Sequence, residues 1–230
     1  MSVIAIVQAR TGSTRLASKV LLELNGKPAI YWVMARVNRC PDVDKVILAT
    51  SKLARDDILA DLARRHGWNL FRGSERDVLS RFVEIVDEER PSYVVRVCAD
   101  NFAIDPGVIS HGINRLRQDS LDVCTPFIEN SYPFGAGAEV STSDAILRLD
   151  LFTKSLQDDF REHIYSYAYV NPKLFKIGLL QAPKNLARPE VNISVDIQKQ
   201  FDSMKKMYAH FLGMEETFTI SDMLRYLSTN

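Results

Sequence analysis

Short apolar runs rich in β-branched residues alternate with stretches of helical spacing through the first half of the chain, and this rhythm limits the fold more than any other feature. Val3-Ile-Ala-Ile-Val7 and Lys45-Val-Ile-Leu-Ala49 are continuous runs, as expected of strands buried on both faces. Further strands are predicted at 69–71, 93–98 and 121–125. Between them the spacing of apolar residues predicts helices over 30–38, 56–66, 75–89 and 106–118, with Gly67 where the second should stop. The alternation predicts an α/β fold with helices on both faces of a mixed, mostly parallel sheet, a three-layer α/β/α arrangement. In such sheets ligands bind beyond the carboxyl ends of the strands. Those ends lead into residues 8–19 after the first strand and 99–105 after the fourth.

After residue 125 the pattern loosens. Strands are predicted at 138–141, 174–180 and 191–195. Helices are predicted at 143–151 with Ser143 as N-cap, at 160–169, at 198–212 and at 219–227. No repeat or low-complexity linker divides the chain. Residues 1–230 therefore read as one domain, with 127–180 as a less regular portion suited to acceptor binding or dimerisation.

Hydrophobic residues make up 46% of the chain, enough for a substantial core. Lys plus Arg and Asp plus Glu both number 29, a balance that offers no electrostatic case for nucleic acid or an anionic membrane as a partner. Cys40, Cys98 and Cys124 are too scattered for a disulfide framework or a zinc site and read as buried thiols. The run 3–7 is too short for a signal-peptide core, and no run nears the roughly 20 apolar residues of a membrane span. The cytoplasm is the expected compartment.

Gln8-Ala-Arg-Thr-Gly-Ser-Thr-Arg-Leu-Ala-Ser-Lys19 follows the first strand and carries Arg10, Arg15 and Lys19 among small residues. A triphosphate, with about four negative charges, needs cations and backbone N–H groups that can come close. Gly12 and Ser13 permit that approach, and Gln8 at the strand end could hydrogen-bond a base. The spacing is neither that of a P-loop nor GxGxxG. A solvated polar connection is the plain alternative. Position after the first strand of an α/β sheet favours the ligand.

The segment 8–21, with Asn25-Gly-Lys-Pro28 after it, resembles the signature of cytidylyltransferases that make CMP-activated sugars, and is most similar to the spore-coat polysaccharide branch of that family. Phe71-Arg-Gly-Ser-Glu75, Asp77-Val-Leu-Ser-Arg81, Val95-Arg-Val with Asp100, Ile104-Asp-Pro106, Arg161-Glu-His163 and Ser194-Val-Asp196 match in the family's order. The resemblance implies a single domain of the nucleotide-diphospho-sugar transferase type. It implies CTP and a sugar or sugar-acid acceptor as substrates, Mg²⁺ as cofactor and a homodimer. Arg10, Ser13, Arg15 and Lys19 match the family's triphosphate and base positions, and Ala9 lies among them.

Attack on an α-phosphate with loss of pyrophosphate needs a divalent ion held by one or two carboxylates. Asp100 and Asp196 each follow a predicted strand on the ligand edge, and the resemblance makes them the metal ligands. Turn or cap roles are their structural alternatives. One departure stands out. Ala99 replaces a Gly usual in the family, and Asn101-Phe102 replaces a segment that shapes the base and sugar pocket. A different base, a non-sugar acceptor, or a non-catalytic binding relative are the readings this leaves open. Arg72 could lie near the base or the sugar carboxylate, or pair with a neighbouring helix. Arg96, inside a strand, reads as a buried pairing residue. Glu139, Arg161, Glu162 and His163 are the candidates for acceptor contact. His66, His111 and His210 stand alone on predicted helices, and Tyr165, Tyr167 and Tyr169 read as packing or a dimer face.

Overall fold

The computed structural model describes residues 1–127, 131–156 and 159–229. The expected portion 127–180 thus falls partly outside the described residues. The strands are β1 (Val3–Gln8), β2 (Glu23–Leu24), β3 (Lys27–Pro28), β4 (Lys45–Ser51), β5 (Asn69–Gly73), β6 (Tyr93–Cys98), β7 (Val123–Thr125), β8 (Glu139–Thr142) and β9 (Ile177–Leu179). The helices are α1 (Ala29–Asn38), α2 (Asp57–His66), α3 (Val78–Glu89), α4 (Pro106–Asp119), α5 (Ser143–Thr153), α6 (Asp159–Glu162), α7 (Ser166–Val170), α8 (Gln198–His210) and α9 (Ile220–Thr229).

The main sheet runs β5-β4-β1-β6-β8-β7-β9. The block β5-β4-β1-β6 is parallel throughout, β8 is antiparallel to both β6 and β7, and β9 returns parallel to β7. Alternate residues of the strands feed two cores. Val3, Ala5, Val7, Val95 and Val97 pack with α1, α2, α4 and α8. Ile4, Ile6, Ile47 and Val94 pack with α3, α5 and α7. Both faces are covered, which is why β1 and β4 read as unbroken apolar runs. The expected three layers and mixed, mostly parallel sheet are present.

The chain leaves β1 toward β4 and β5 on one side and then crosses back to β6 on the other. The order therefore reverses between β1 and β6, where the connections splay apart and leave a crevice. Asp105 caps α4 by accepting from Gly107 N and Val108 N, and its second oxygen takes Ile220 N at the start of α9. One carboxylate thus seats two helix starts.

Several boundaries depart from the sequence reading. Residues 191–195 form no strand: only Phe134 and Asn192 bridge there. The reason is that successive N–H groups find unlike partners. Ile193 N binds Phe134 O, Ser194 N binds Asn192 Oδ1, and Val195 N binds Asp100 O. Residues 160–169 split into α6 and α7, because Ser166 turns its N–H and hydroxyl onto His163 O. Thr142, not Ser143, caps α5 through Ala145 N, while Ser143 Oγ donates to Pro91 O.

The C-terminal segment is fastened by Arg36, which is fully buried on α1. Its guanidinium donates to Ile104 O at 2.7 Å, Glu215 O at 2.9 Å and Phe218 O at 2.8 Å, and lies 4.1 Å from the Phe218 ring centre. Asn25, in the two-residue turn between β2 and β3, adds bonds to Tyr208 O and Glu215. Arg36→Met keeps the stem but leaves three buried carbonyls without donors, so it should lower unfolding free energy by about 3 kcal/mol or more. Urea denaturation monitored by circular dichroism reads this directly, and a loss below about 1 kcal/mol would contradict it.

Candidate active site

A cavity of about 630 Å³ opens at the carboxyl ends of β1 and β6. Gln8, Ala9, Arg10, Gly12, Ser13, Arg15 and Lys19 line it from the first loop, and Ala99, Asp100 and Asn101 from the β6 end. The two loops are joined by the ladder itself: Gln8 is in register with Cys98, and Ala99 N donates to Gln8 O at 3.1 Å.

Lys19 Nζ lies 2.8 Å from Asp100 Oδ2 and 2.8 Å from Asp196 Oδ1, and Arg15 reaches the same Asp196 oxygen at 3.1 Å. Burial alone would lower the Lys19 ammonium. The charges and hydrogen bonds of Asp100 and Asp196 outweigh burial and hold it above its usual value. Burial would likewise raise Asp196, yet Lys19 and Arg15 hold it below the usual carboxylate value. Asp196 arrives without a strand: Val195 N donates to Asp100 O at 3.1 Å, and Gln200 Oε1 accepts from Asp196 N and Ile197 N at the start of α8. The carboxylate therefore does not cap α8 and is left for the crevice.

Two carboxylates converging on one ammonium suit an oxygen-preferring divalent ion that takes its remaining ligands from phosphate and water. Among the described residues no cluster of three or more His, Cys, Asp or Glu is arranged to hold a metal. The pair thus fits such an ion only when a phosphate-bearing substrate completes the set.

The first loop owes its shape to Asp56, which lies after β4 and is fully buried. It accepts from Thr11 N at 2.8 Å, Thr11 Oγ1 at 2.7 Å and the Ser51 hydroxyl. Gly12 does not adopt a left-handed backbone; the space a side chain would take is filled by Arg55. Further in, Arg96 donates to Gln8 Oε1 at 3.0 Å and to Glu139 Oε2 at 2.6 Å, and the Tyr169 hydroxyl donates to Glu139. Burial works against the Arg96 charge, but the charge of Glu139 and its hydrogen bond raise it well above its usual value. Burial pushes the Cys98 thiol up to about 12, so it is a neutral floor to the cavity.

Most of the residues singled out from sequence meet here. Glu162 pairs with Arg10 at 2.7 Å and His163 lines the same wall. Arg72 does not meet them. Its guanidinium donates to Ser51 O and Leu53 O and pairs with Asp57 of α2, so it serves the helix-pairing alternative. Arg161 is also spent elsewhere, on Asp77, Asp150 and Thr153, where it pins α6 to the start of α3 and to α5. Phe102 is fully buried and gives its carbonyl to Tyr208, so of the 101–102 departure only Asn101 faces the cavity. His66 stacks on Trp68, His111 meets Tyr132, and His210 packs on Phe211 and Tyr226. Sequence reasoning missed Tyr165 and Tyr169, which line the cavity, as well as Arg81 and Asp56. Their spacing of four was the available signal: on a helical stretch it places both tyrosines on one face, with Tyr167 on the other among Phe152 and Phe160.

Comparison with known proteins places this geometry. The cytidylyltransferase family model matches residues 4–222. The spore coat polysaccharide biosynthesis protein SpsF of Bacillus subtilis (strain 168) is 30% identical, covering 99% of this chain and 95% of its own. The structure of a cytidylyltransferase from Leptospira borgpetersenii superposes with a TM-score of 0.91 at 23% identity, over 100% of this chain and 95% of that one. CMP:2-keto-3-deoxy-manno-octonic acid synthetase complexed with CTP gives a TM-score of 0.69 at 16% identity, over 92% and 100%. A nucleotidyltransferase fold with a crevice at the β1–β6 switch is thereby defined. The chain belongs to the cytidylyltransferase family, enzymes that transfer CMP from CTP.

Two outcomes follow from the way the loops are held. Gly135 has φ +95°, and a Cβ there would stand 2.7 Å from Ser194 N. Gly135→Ala should displace 193–196, cost about 1–3 kcal/mol, and weaken CTP binding about tenfold by calorimetry; unchanged affinity would refute the coupling. Asp56 is shifted below its ordinary value: burial opposes this, but the bonds from Ser51 and Thr11 prevail. Its folded value being depressed, the stability it adds is full above the unfolded value of 3.8 and fades as pH falls through the folded one. Asp56→Asn should flatten that acid limb of a Tm-against-pH curve.

Proposed function

We propose that the chain transfers CMP from CTP to a hydroxyl of a sugar or sugar acid, releasing pyrophosphate, in the making of surface-glycan precursors. The observation that carries the residue assignments is the convergence of Lys19 and Arg15 on Asp100 and Asp196 at the β1–β6 switch. Arg10, Arg15 and Lys19 would bind and neutralise the triphosphate, with Gly12, Ser13 and Ala9 offering backbone contact. Gln8 presents its amide NH₂ toward the base, because Arg96 already occupies its carbonyl oxygen. Asp100 and Asp196 would hold Mg²⁺, which supplies charge neutralisation at the α-phosphate. Glu139, Glu162 and His163 with Tyr169 form the acceptor wall. Positioning and electrostatics supply the rate, and no side chain need act as a dedicated base.

SpsF, by its name a spore-coat polysaccharide biosynthesis protein, supports the glycan reading, and the synthetase that binds CTP supports the nucleotide. Free buried thiols and consumption of CTP suit a cytoplasmic enzyme. Leu151, Val170 and Leu174, exposed at 71%, 66% and 44%, support pairing of two copies through the 127–180 portion. The direct test is pyrophosphate release with CTP, Mg²⁺ and a panel of sugars and sugar acids. Asp100→Asn and Asp196→Asn should each lower kcat/KM about 100-fold or more while leaving the fold intact. A folded wild-type protein that releases no pyrophosphate from any nucleoside triphosphate across the panel would sink the proposal.

A further inference from the structure

An arginine has donors and no acceptor, and this fixes the orientation of a side-chain amide at the end of β1. Arg96 Nε donates to Gln8 at 3.0 Å, so the oxygen of that amide faces Arg96 and its NH₂ group faces away. Arg96 is itself held. Its Nη1 donates to Glu139 Oε2 at 2.6 Å, with the two side chains 10% and 4% exposed, and the Tyr169 hydroxyl donates to the other Glu139 oxygen. Ile6 stands beside Arg96 and Gln8 beside Cys98 in the β1–β6 ladder, and Arg96 stands opposite Glu139 in the β6–β8 ladder. Three neighbouring strands therefore set the amide, and water has little access to the pair that holds it. The Gln8 Nε2 group makes no hydrogen bond among the described residues, and Gln8 lines the cavity.

What the NH₂ group meets follows from its place. By alternation along β1, Gln8 shares the face of the sheet that carries Ile4 and Ile6 and that α3 covers. Val78, at the start of α3, lines the cavity on that face, as does Cys98, a thiol that burial keeps neutral. The cations suited to phosphate come later in the first loop, at Arg10, Arg15 and Lys19. An uncharged donor beside a thiol and an apolar side chain suits the edge of a ring rather than an anion. Cytosine presents acceptors at N3 and O2, whereas uracil carries a hydrogen on N3. A donor that cannot turn round meets the lone pair of cytosine N3 and opposes the N3–H of uracil. An amide free to turn over would offer its oxygen to uracil and serve both bases.

We propose that Arg96 is a positioning residue that acts through the Gln8 amide to select a pyrimidine with an acceptor at N3, cytosine, over uracil. The proposal rests on the reading above that Gln8 faces the base of a bound nucleoside triphosphate. Arg96 does not touch the base. It removes the one amide orientation that uracil could use. Rejection then comes from two donors left facing each other, which is how a polar site discriminates against an analogue lacking the matching group.

The test measures equilibrium binding by calorimetry with Mg²⁺. The probes are the α,β-methylene analogues of CTP, of UTP and of pyrimidin-2-one riboside triphosphate, the last keeping the N3 acceptor without the 4-amino group. Wild-type protein should bind the CTP analogue about tenfold or more tighter than the UTP analogue, and the pyrimidinone within about threefold of CTP. Gln8→Glu leaves an oxygen for Arg96 but turns an acceptor on the base, and should bring the CTP-to-UTP ratio to unity or invert it. Arg96→Gln combined with Glu139→Gln replaces the buried ion pair by amides that donate or accept, and should bring the ratio within about threefold of unity. A merely structural role would weaken both nucleotides together and leave their ratio alone. If the double variant melts early, Gln8→Glu, which keeps the Arg96–Glu139 pair, decides. Equal wild-type affinity for CTP and UTP, a pyrimidinone that binds as weakly as UTP, or an unchanged ratio in Gln8→Glu would each overturn the proposal. Failure of the parent reading shows separately, as wild-type protein that binds none of the analogues and releases no pyrophosphate from CTP.

Discussion

The site depends on one backbone contact zone, the parallel pairing of β1 with β6. Val3 through Gln8 run in register with Tyr93 through Cys98, and the ladder ends with Ala99 N on Gln8 O. Because the chain order reverses at this seam, the two loops that leave it diverge, and a cleft lined by polar backbone opens there. The loop 8–19 and the Asp100 loop are consequently neighbours by construction. Their separation is fixed by the spacing of paired strands rather than by flexible side chains. Burial of both faces of β1 holds the seam rigid, so a substrate meets a preorganised surface.

The first half of this design was legible in the sequence. β1 and β4 carry continuous apolar runs, and a strand buried on both faces has little choice but to look like that. Loop 8–19 is legible because three cations stand among small residues at a strand end. The second half was less legible. Residues 191–195 carry the apolar alternation of a strand, yet their N–H groups go singly to Phe134, Asn192 and Asp100. Local pattern cannot show a partner that lies far away in sequence. Arg72 and Arg161 illustrate the same limit. Each is a cation within a family-like motif; Arg72 is consumed by Asp57 and two carbonyls, and Arg161 by Asp77, Asp150 and the Thr153 hydroxyl. A motif preserves a residue for its part in building a site as readily as for touching a ligand.

Placement of Asp56 and of Tyr165 with Tyr169 shows how the site is supported. Asp56 takes three donors and so fixes Thr11, which sets the path of the loop from Arg10 to Ser13. Tyr169 and Arg96 hold Glu139 from opposite sides, while Tyr165 anchors to Ser141 on the same strand. Buried polar groups at this depth are tolerated because their donors and acceptors are matched. The wall is therefore stiff, and selectivity can rest on single groups.

Arg36 gives the molecule a further property. The carbonyls it gathers belong to Ile104, just past the Asp100 loop, and to Glu215 and Phe218, beyond α8. A chain emerging from the ribosome has loop 8–19 early, but Asp196 and the segment that locks it down come late. Of the two carboxylates that Lys19 meets, Asp100 lies on the β6 side and Asp196 on the late segment. Both halves of the Lys19 pairing, Asp100 and Asp196, are thus brought together only once the C-terminal segment has docked.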